Sequence, residues 1–297
     1  MEYISECNLC NCKDLEFFDP ISNICRCSSC GYVFDNPRPD KKDLIAYYSK
    51  TTKYDSWLRK EKARDSLWKR RLQKMKKIRD GGSLLDIGAG IGQFLFHART
   101  QYDVVMGTEV SISAISIAKE RYGIDLIAGE VETLEIGRQF DCITIFHVLE
   151  HVYNPRAVIE KCRFLLNDHG CMVIAVPNEL LSLESRVKFL LKKLGFKRFR
   201  NVSPLGLSKI TLDGSLTEIH VSHFTPDVLK NMLEGSGFIV VENTLDPYFA
   251  ASGLSLVFHY LYYYLHVLLF YATGRNWYDT IWMVARKNSM ESLCLKA

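Results

Sequence analysis

Apolar residues along this chain fall into two registers. Leu84-Leu85-Asp86-Ile87 is a short, nearly continuous apolar run, which predicts a buried strand of parallel type, and Val104 to Glu109 and Gly237 to Leu245 read as further strands. Between them, Val110 to Tyr122, Asn154 to Leu166 with Pro155 in its first turn, and the stretch opening at Thr225-Pro226-Asp227 read as helices. The alternation predicts an α/β fold. Upstream, residues 41–80 read as a helical connector, with Leu44, Tyr47, Tyr48, Trp57, Leu67, Trp68, Leu72 and Met75 as the side expected to pack on the following domain.

Two segments exceed an ordinary connection. Within 179–224, Leu180, Leu183, Val187, Leu190, Leu191 and Leu194 recur at helical spacing, while Arg186, Lys188, Lys192 and Lys193 take other faces and Lys197, Arg198 and Arg200 follow. This pattern predicts a basic amphipathic helix. Within 246–279, the apolar run Leu254 to Tyr271 would measure about 27 Å as a helix, long enough to cross a bilayer.

Composition narrows the class without naming an activity. At 297 residues and 47% hydrophobic content the chain can bury a substantial core and is neither disordered nor fibrous. The formal charge of +4 is uneven, because Arg59 to Arg79 holds eleven Lys or Arg against Glu61 and Asp65. That block is either a solvated helix face or a surface for RNA or anionic membrane. Six of the ten cysteines fall in the first thirty residues. No charged start with an apolar core marks a secretory signal, so a reducing cytosol is expected. In that setting Cys7-x-x-Cys10 and Cys27-x-x-Cys30, sixteen residues apart, suit a four-thiolate zinc ribbon over 1–40; Cys12 and Cys25 blur the choice.

The candidate chemistry starts at Asp86-Ile87-Gly88-Ala89-Gly90-Ile91-Gly92. A strand enters a glycine turn, and the missing Cβ atoms let a ligand approach the main chain. Gln93 stands where a dinucleotide fingerprint has its last glycine, which disfavours NAD and FAD. Asp86 suits an ammonium group, and Glu109, ending the next strand, suits ribose hydroxyls.

The order Asp86, Gly88-x-Gly90-x-Gly92 and Glu109 resembles the class I S-adenosylmethionine-dependent methyltransferases, and the resemblance covers residues 81–245. It implies a seven-stranded, doubly wound, Rossmann-like sheet over 81–288 with insertions at 179–224 and 246–279 and a tail at 289–297. S-adenosylmethionine would lie on Asp86, Gly88, Ala89, Gly90, Gly92, Glu109 and Val110, with Glu130 and Val131 against its adenine. Phe140 to Phe146 resembles the family's fourth strand, Gly170 to Asn178 its fifth and Thr280 to Arg286 its seventh, which would run antiparallel beside the sixth. The chain of 246–279 must then leave and return at one sheet edge, which a single membrane span cannot do. An interfacial helix or hairpin is expected instead, either docked on a membrane or forming an apolar lid over the site.

The fourth strand runs into His147-Val148-Leu149-Glu150-His151. A helical turn beginning at His147 would bring His147, Glu150 and His151 to one face, with His151 the first choice as general base and side chains merely hydrogen-bonded around the cofactor as the plain alternative. The tail Leu-Glu-His-Val is similar to the ubiquinone-biosynthesis O-methyltransferases, whose Glu-x-x-Glu-His pattern is associated with a divalent metal. Glu150 and His151 match that pattern, and His147 replaces its first Glu. His220 and His223 either complete the acceptor pocket or serve structure. The expected activity is methyl transfer to oxygen of a small-molecule or lipid-linked acceptor, a glycan or quinone-type lipid, by a cytoplasmic enzyme placed at the inner face of the membrane. RNA methylation and a non-catalytic S-adenosylmethionine-binding scaffold are the rival readings.

Overall fold

The computed structural model describes residues 1–288 apart from 20–22, 51–53, 200–201, 204, 208 and 213–217; the expected tail at 289–297 and Arg200 lie outside the described residues. The chain opens with β1 (Leu15–Asp19), β2 (Ile24–Cys27) and β3 (Val33–Asp35), an antiparallel ribbon. The connector is helical but broken into α1 (Lys41–Tyr48), α2 (Asp55–Arg59) and α3 (Glu61–Lys76). There follow β4 (Ser83–Ile87), α4 (Gln93–Ala98), β5 (Val104–Glu109), α5 (Ile112–Tyr122), β6 (Ile127–Ala128), β7 (Phe140–Phe146), α6 (Pro155–Leu165) and β8 (Leu166–Pro177). The remainder is α7 (Leu183–Lys193), β9 (Ser222–His223), α8 (Pro226–Gly235), β10 (Phe238–Thr244), α9 (Gly253–Thr273) and β11 (Thr280–Lys287).

Seven strands form the central sheet in the order β10-β11-β8-β7-β4-β5-β6. All neighbours pair in parallel except β11, which runs antiparallel between β8 and β10. The seventh strand therefore separates the fifth from the sixth. Alternate strand residues feed two cores. Leu85, Ile87, Ile143 and Ile145 pack with α6, α8 and the ribbon, and Leu84, Cys142, Phe146 and Trp282 pack with α3, α4 and α5. Helix starts follow the sequence signals, since Ser111, Asn154 and Thr225 each accept a hydrogen bond from the backbone amide three residues on.

Two features depart from the sequence reading. Part of the connector's charge is turned inward: Arg64 and Arg71 are buried, Arg70 lies over Phe249, and Arg79 pairs with Asp141, while Lys62, Lys69, Lys76 and Lys77 stay exposed. Residues 254–271 form one continuous helix, one of the two forms expected, because no glycine or proline interrupts them. And β9, inside the 179–224 insertion, pairs with β3 and completes the ribbon's sheet.

The return of α9 closes at the carboxyl edge of the sheet, where Thr280 Oγ1 donates to the Asp246 carbonyl, Asn178 N–H to that of Asp279 and Leu183 N–H to that of Trp277. Tyr260, Tyr262, Tyr263 and His266 pack on Phe249 and Tyr278, while Leu254, Phe258, Leu261, Leu268 and Tyr271 face outward. On α7, Leu183, Val187 and Leu190 are exposed as well.

Candidate active site

The glycine turn follows β4 as its spacing predicts. Gly88, Gly90 and Gly92 all have positive φ, at 66°, 54° and 74°, and a Cβ on Gly88 would meet Val148 Cγ2 at 2.5 Å. The turn is therefore fixed both by backbone conformation and by packing against the turn after β7. Glu109 braces it from the next strand. Its carboxylate accepts from the backbone N–H of Gly90 (2.7 Å), Val110 (2.8 Å) and Ser111 (2.9 Å). Asp86 sits at the base, accepting from Thr144 Oγ1 at 2.6 Å, and burial pushes its carboxyl up to about 7 against that hydrogen bond.

Asp86, Gly88, Gly90 and Glu109 line a cleft at the carboxyl ends of the parallel strands. Ala89, Val110, Glu130 and Val131 line it too; Gly92 does not, and starts α4 beneath it. Glu130 also pairs with Lys41 Nζ at 2.6 Å, tying α1 over the opening. Across the cleft stand Tyr48, Tyr54, Trp57, Arg64 and Tyr248. Arg64 stacks on Trp57, donates to Gln93 Oε1 at 3.3 Å and makes no ion pair among the described residues.

The turn after β7 is not helical at its start. His147 has φ 57°, a left-handed conformation that a non-glycine residue adopts at a cost, and the turn itself closes where His151 N–H donates to the Val148 carbonyl. The three side chains still converge. Glu150 Oε1 lies 3.4 Å from His147 Nδ1 and 3.9 Å from His151 Nε2. Arg71 fixes the ring of His147: its Nη2 lies 3.0 Å from Nε2, which must accept, so Nδ1 carries the proton toward Glu150. Arg71 in turn is held by Asp246 and sandwiched by Phe146 and Tyr248.

His151 is held in the same tautomer by a different partner. Its Nδ1 lies 2.7 Å from the Ile219 carbonyl, which can only accept, so Nδ1 is protonated and Nε2 presents a lone pair. Burial lowers its pKa and keeps the ring neutral, outweighing the Glu150 carboxylate. His220 comes alongside, ring centroids 4.9 Å apart. His223 does not reach the cleft; it is buried between Asp35 and Glu179. Arg64, Arg71, Tyr48, Glu179 and Asp246 are the positions that sequence reasoning missed. The two arginines were hidden in a basic run, and the others carry no local signal.

Two metal-ligand clusters also take shape. Cys7 Sγ lies 3.5 Å from Cys30 Sγ and Cys10 Sγ 3.5 Å from Cys27 Sγ, all four within 4.8 Å of one another. That separation is too long for disulfides and close to the edge of a tetrahedron around a thiolate-bound zinc. A hydrogen bond from Cys30 pulls the Cys7 thiol down to about 5. Cys12 and Cys25 stand outside the cluster, Cys12 beside Ser28 and Cys25 buried with its thiol pushed up to about 11. The second cluster is Glu150, His151 and His220.

Strand order, glycine turn and acid-capped second strand define a Rossmann-like S-adenosylmethionine-dependent methyltransferase. The methyltransferase-domain family model matches residues 59–243, and the chain belongs to that family. Among relatives, an uncharacterised protein of Methanocaldococcus jannaschii is 27% identical over 73% of this chain and 85% of its own length. The ubiquinone biosynthesis O-methyltransferase of Rhodopseudomonas palustris is 27% identical over 55% of this chain and 61% of its own. The fold is similar to that of magnesium protoporphyrin IX methyltransferase from Synechocystis with bound S-adenosylhomocysteine (TM-score 0.54, 14% identity, 84% of this chain and all of the other). It is also similar to a possible histamine N-methyltransferase of Thermotoga maritima (TM-score 0.51, 15% identity, 82% and 99% covered).

Proposed function

We propose that the chain methylates a hydroxyl oxygen of a small-molecule or lipid-linked acceptor, with His151 Nε2 taking the acceptor's proton. The observation that carries this is the fixed tautomer of His151, a neutral imidazole of the cleft lining that keeps its lone pair on Nε2. Asp86 would meet the cofactor's ammonium, Arg64 its carboxylate, Glu109 its ribose, and Glu130 with Val131 its adenine. S-adenosylmethionine supplies an already activated methyl group, so the protein's part is to position the acceptor, exclude water and remove one proton. His147 and Glu150 orient that region.

A divalent cation fits the same corner. Both Glu150 oxygens are buried without a hydrogen bond, as is His220 Nε2, and their ligand atoms lie with one from His151 within 4.8 Å. Glu150, His151 and His220 would hold it, His151 then giving its Nε2 lone pair to the cation in place of accepting a proton, and it would supply Lewis acidity toward an acceptor hydroxyl. At the other cluster we assign zinc to Cys7, Cys10, Cys27 and Cys30, with a structural role. Metal analysis is expected to give about one zinc per chain for that cluster, lost in Cys27→Ser; a folded, zinc-free chain would remove the assignment.

The apolar outer face of α9, beside the basic and apolar α7, supports an acceptor drawn from the cytoplasmic face of a membrane. The test is methyl transfer from labelled S-adenosylmethionine into an extract of the source cells, with Asp86→Ala as the inactive control. Label in the organic phase supports the lipid acceptor. Aqueous label makes α9 a pocket lid, nuclease-sensitive label makes the acceptor RNA, and tight cofactor binding without label leaves a non-catalytic binder.

Asp86 also gives a pH dependence. An acid whose pKa is raised holds its proton near neutrality and must lose it to pair with an ammonium, so affinity falls as pH falls. Calorimetry with S-adenosylhomocysteine is expected to show binding weakening from pH 8 to pH 6, approaching roughly tenfold per unit below 7. Affinity that does not vary with pH would take Asp86 off the ligand.

A further inference from the structure

The acceptor side of the cleft depends on a segment with little regular structure. Residues 218–223 form only the two-residue β9, yet they carry Ile219, which fixes His151, and His220, which stands beside it. What holds this segment comes from three directions. The N–H groups of Val221 and Ser222 both donate to the Glu150 carbonyl, at 2.8 and 3.1 Å. Tyr48 of α1 brackets Ile219, its hydroxyl accepting from the N–H and donating to the carbonyl. The third support is the cysteine ribbon: Val33 and Phe34 pair with His223 and Ser222, Asp35 N–H donates to the Val221 carbonyl, and the Tyr32 hydroxyl, one residue beyond Gly31 of the Cys27–Cys30 knuckle, bonds Ser222 Oγ.

A continuous chain of charge runs through that junction. Asp35 Oδ2 lies 3.0 Å from His223 Nε2, His223 Nδ1 2.8 Å from Glu179 Oε2, and Glu179 Oε1 2.9 Å from His220 Nδ1. Since both nitrogens of His223 face carboxylates, both donate, and His223 is an imidazolium linking two acids. Glu179, on the loop after β8, then spends its other oxygen on His220. That bond orients the His220 ring, leaving Nε2 directed at Glu218, 3.6 Å away, in the corner that holds Glu150 and His151. His223 itself is too deep to touch an acceptor, and Asp35 belongs to the ribbon.

We infer that the N-terminal ribbon is a working part of the acceptor site, with Asp35, His223 and Glu179 as positioning residues that set the orientation of His220 beside His151. The inference rests on the methyl-transfer reading above. It gives the cysteine cluster a purpose beyond stabilising a small module: the ribbon's last strand is the template on which the histidine-bearing segment is laid.

The test is a double-mutant cycle in the full chain, read by labelled methyl transfer into the source-cell extract and by S-adenosylhomocysteine calorimetry. Asp35→Asn is expected to lower transfer about tenfold with cofactor affinity changed less than about twofold. In a His220→Ala background the same substitution should cost less than about twofold, because the residue it positions is gone. An equal loss in both backgrounds would make Asp35 merely structural and overturn the inference. Glu179→Gln, at a half-buried loop position, should reproduce the Asp35→Asn pattern if that variant folds poorly. Should the unaltered chain transfer no methyl group, the functional reading fails on its own. Hydrogen exchange then decides the coupling: Glu179→Gln should speed exchange at Val221 and Ser222 and leave Gly90 and Val110 unchanged, and unchanged exchange at Val221 and Ser222 would sink it.

Discussion

Replacing His151 by Gln is expected to lower methyl transfer by about 10²–10⁴-fold, the span of a positioned general base, while S-adenosylhomocysteine binds as before. The expectation follows from the tautomer. The Ile219 carbonyl holds the proton on Nδ1, so Nε2 is the only nitrogen able to accept one from a bound acceptor. Glutamine keeps a polar side chain of similar reach and offers no basic nitrogen. Glu150 stands 3.9 Å from Nε2, where its carboxylate would stabilise an imidazolium formed on proton transfer. Full activity in the Gln variant would move the base elsewhere. A loss confined to cofactor affinity would place His151 on the cofactor instead.

The largest expected effect on stability comes from Arg71. Its guanidinium is fully buried, as is the Asp246 carboxylate it contacts through Nε at 3.2 and 3.1 Å and through Nη2. Removing one partner strands the other charge in the core, so Arg71→Met should cost about 3–5 kcal/mol in urea unfolding. The second variant separates charge from packing: Arg71→Met with Asp246→Asn should recover part of that loss, since no uncompensated charge remains. Equal loss in single and double variants would assign the effect to packing against Phe146, Tyr248 and Trp68. Arg71 also bonds His147, so the Met variant should lose activity at temperatures where it is still folded.

The central sheet was legible before any coordinates. The inner strands are short apolar runs, and a strand buried on both faces can be recognised from its own residues, whereas β10 alternates exposed and covered positions at the edge and β6 has only two residues. The glycine turn, Asp86 and Glu109 were equally local, because the backbone conformations they need are written in residue types a few positions apart. The break of the connector into three helices was not, and neither was the inward turn of Arg64 and Arg71. Side-chain spacing in a run rich in Lys and Arg does not distinguish a cation in solvent from one sandwiched between aromatic rings.

Sequence by itself determined the fold class, the cofactor turn, the cysteine quartet and the placing of His147, Glu150 and His151 at one strand end. The glycine turn, each Cys-x-x-Cys knuckle and the strand end are written in residues a few positions apart, although the two knuckles meet across 17 and 23 residues. Only the tertiary structure decided which nitrogen of each histidine carries a proton, because the partners of His151 and His147 lie 68 and 76 residues away, at Ile219 and Arg71. It alone brought Asp35, Glu179, His220 and His223 into line, through a two-residue strand with no periodicity to read. Buried charges choose their partners by what the fold places within hydrogen-bond reach, and that choice is made in space rather than along the chain.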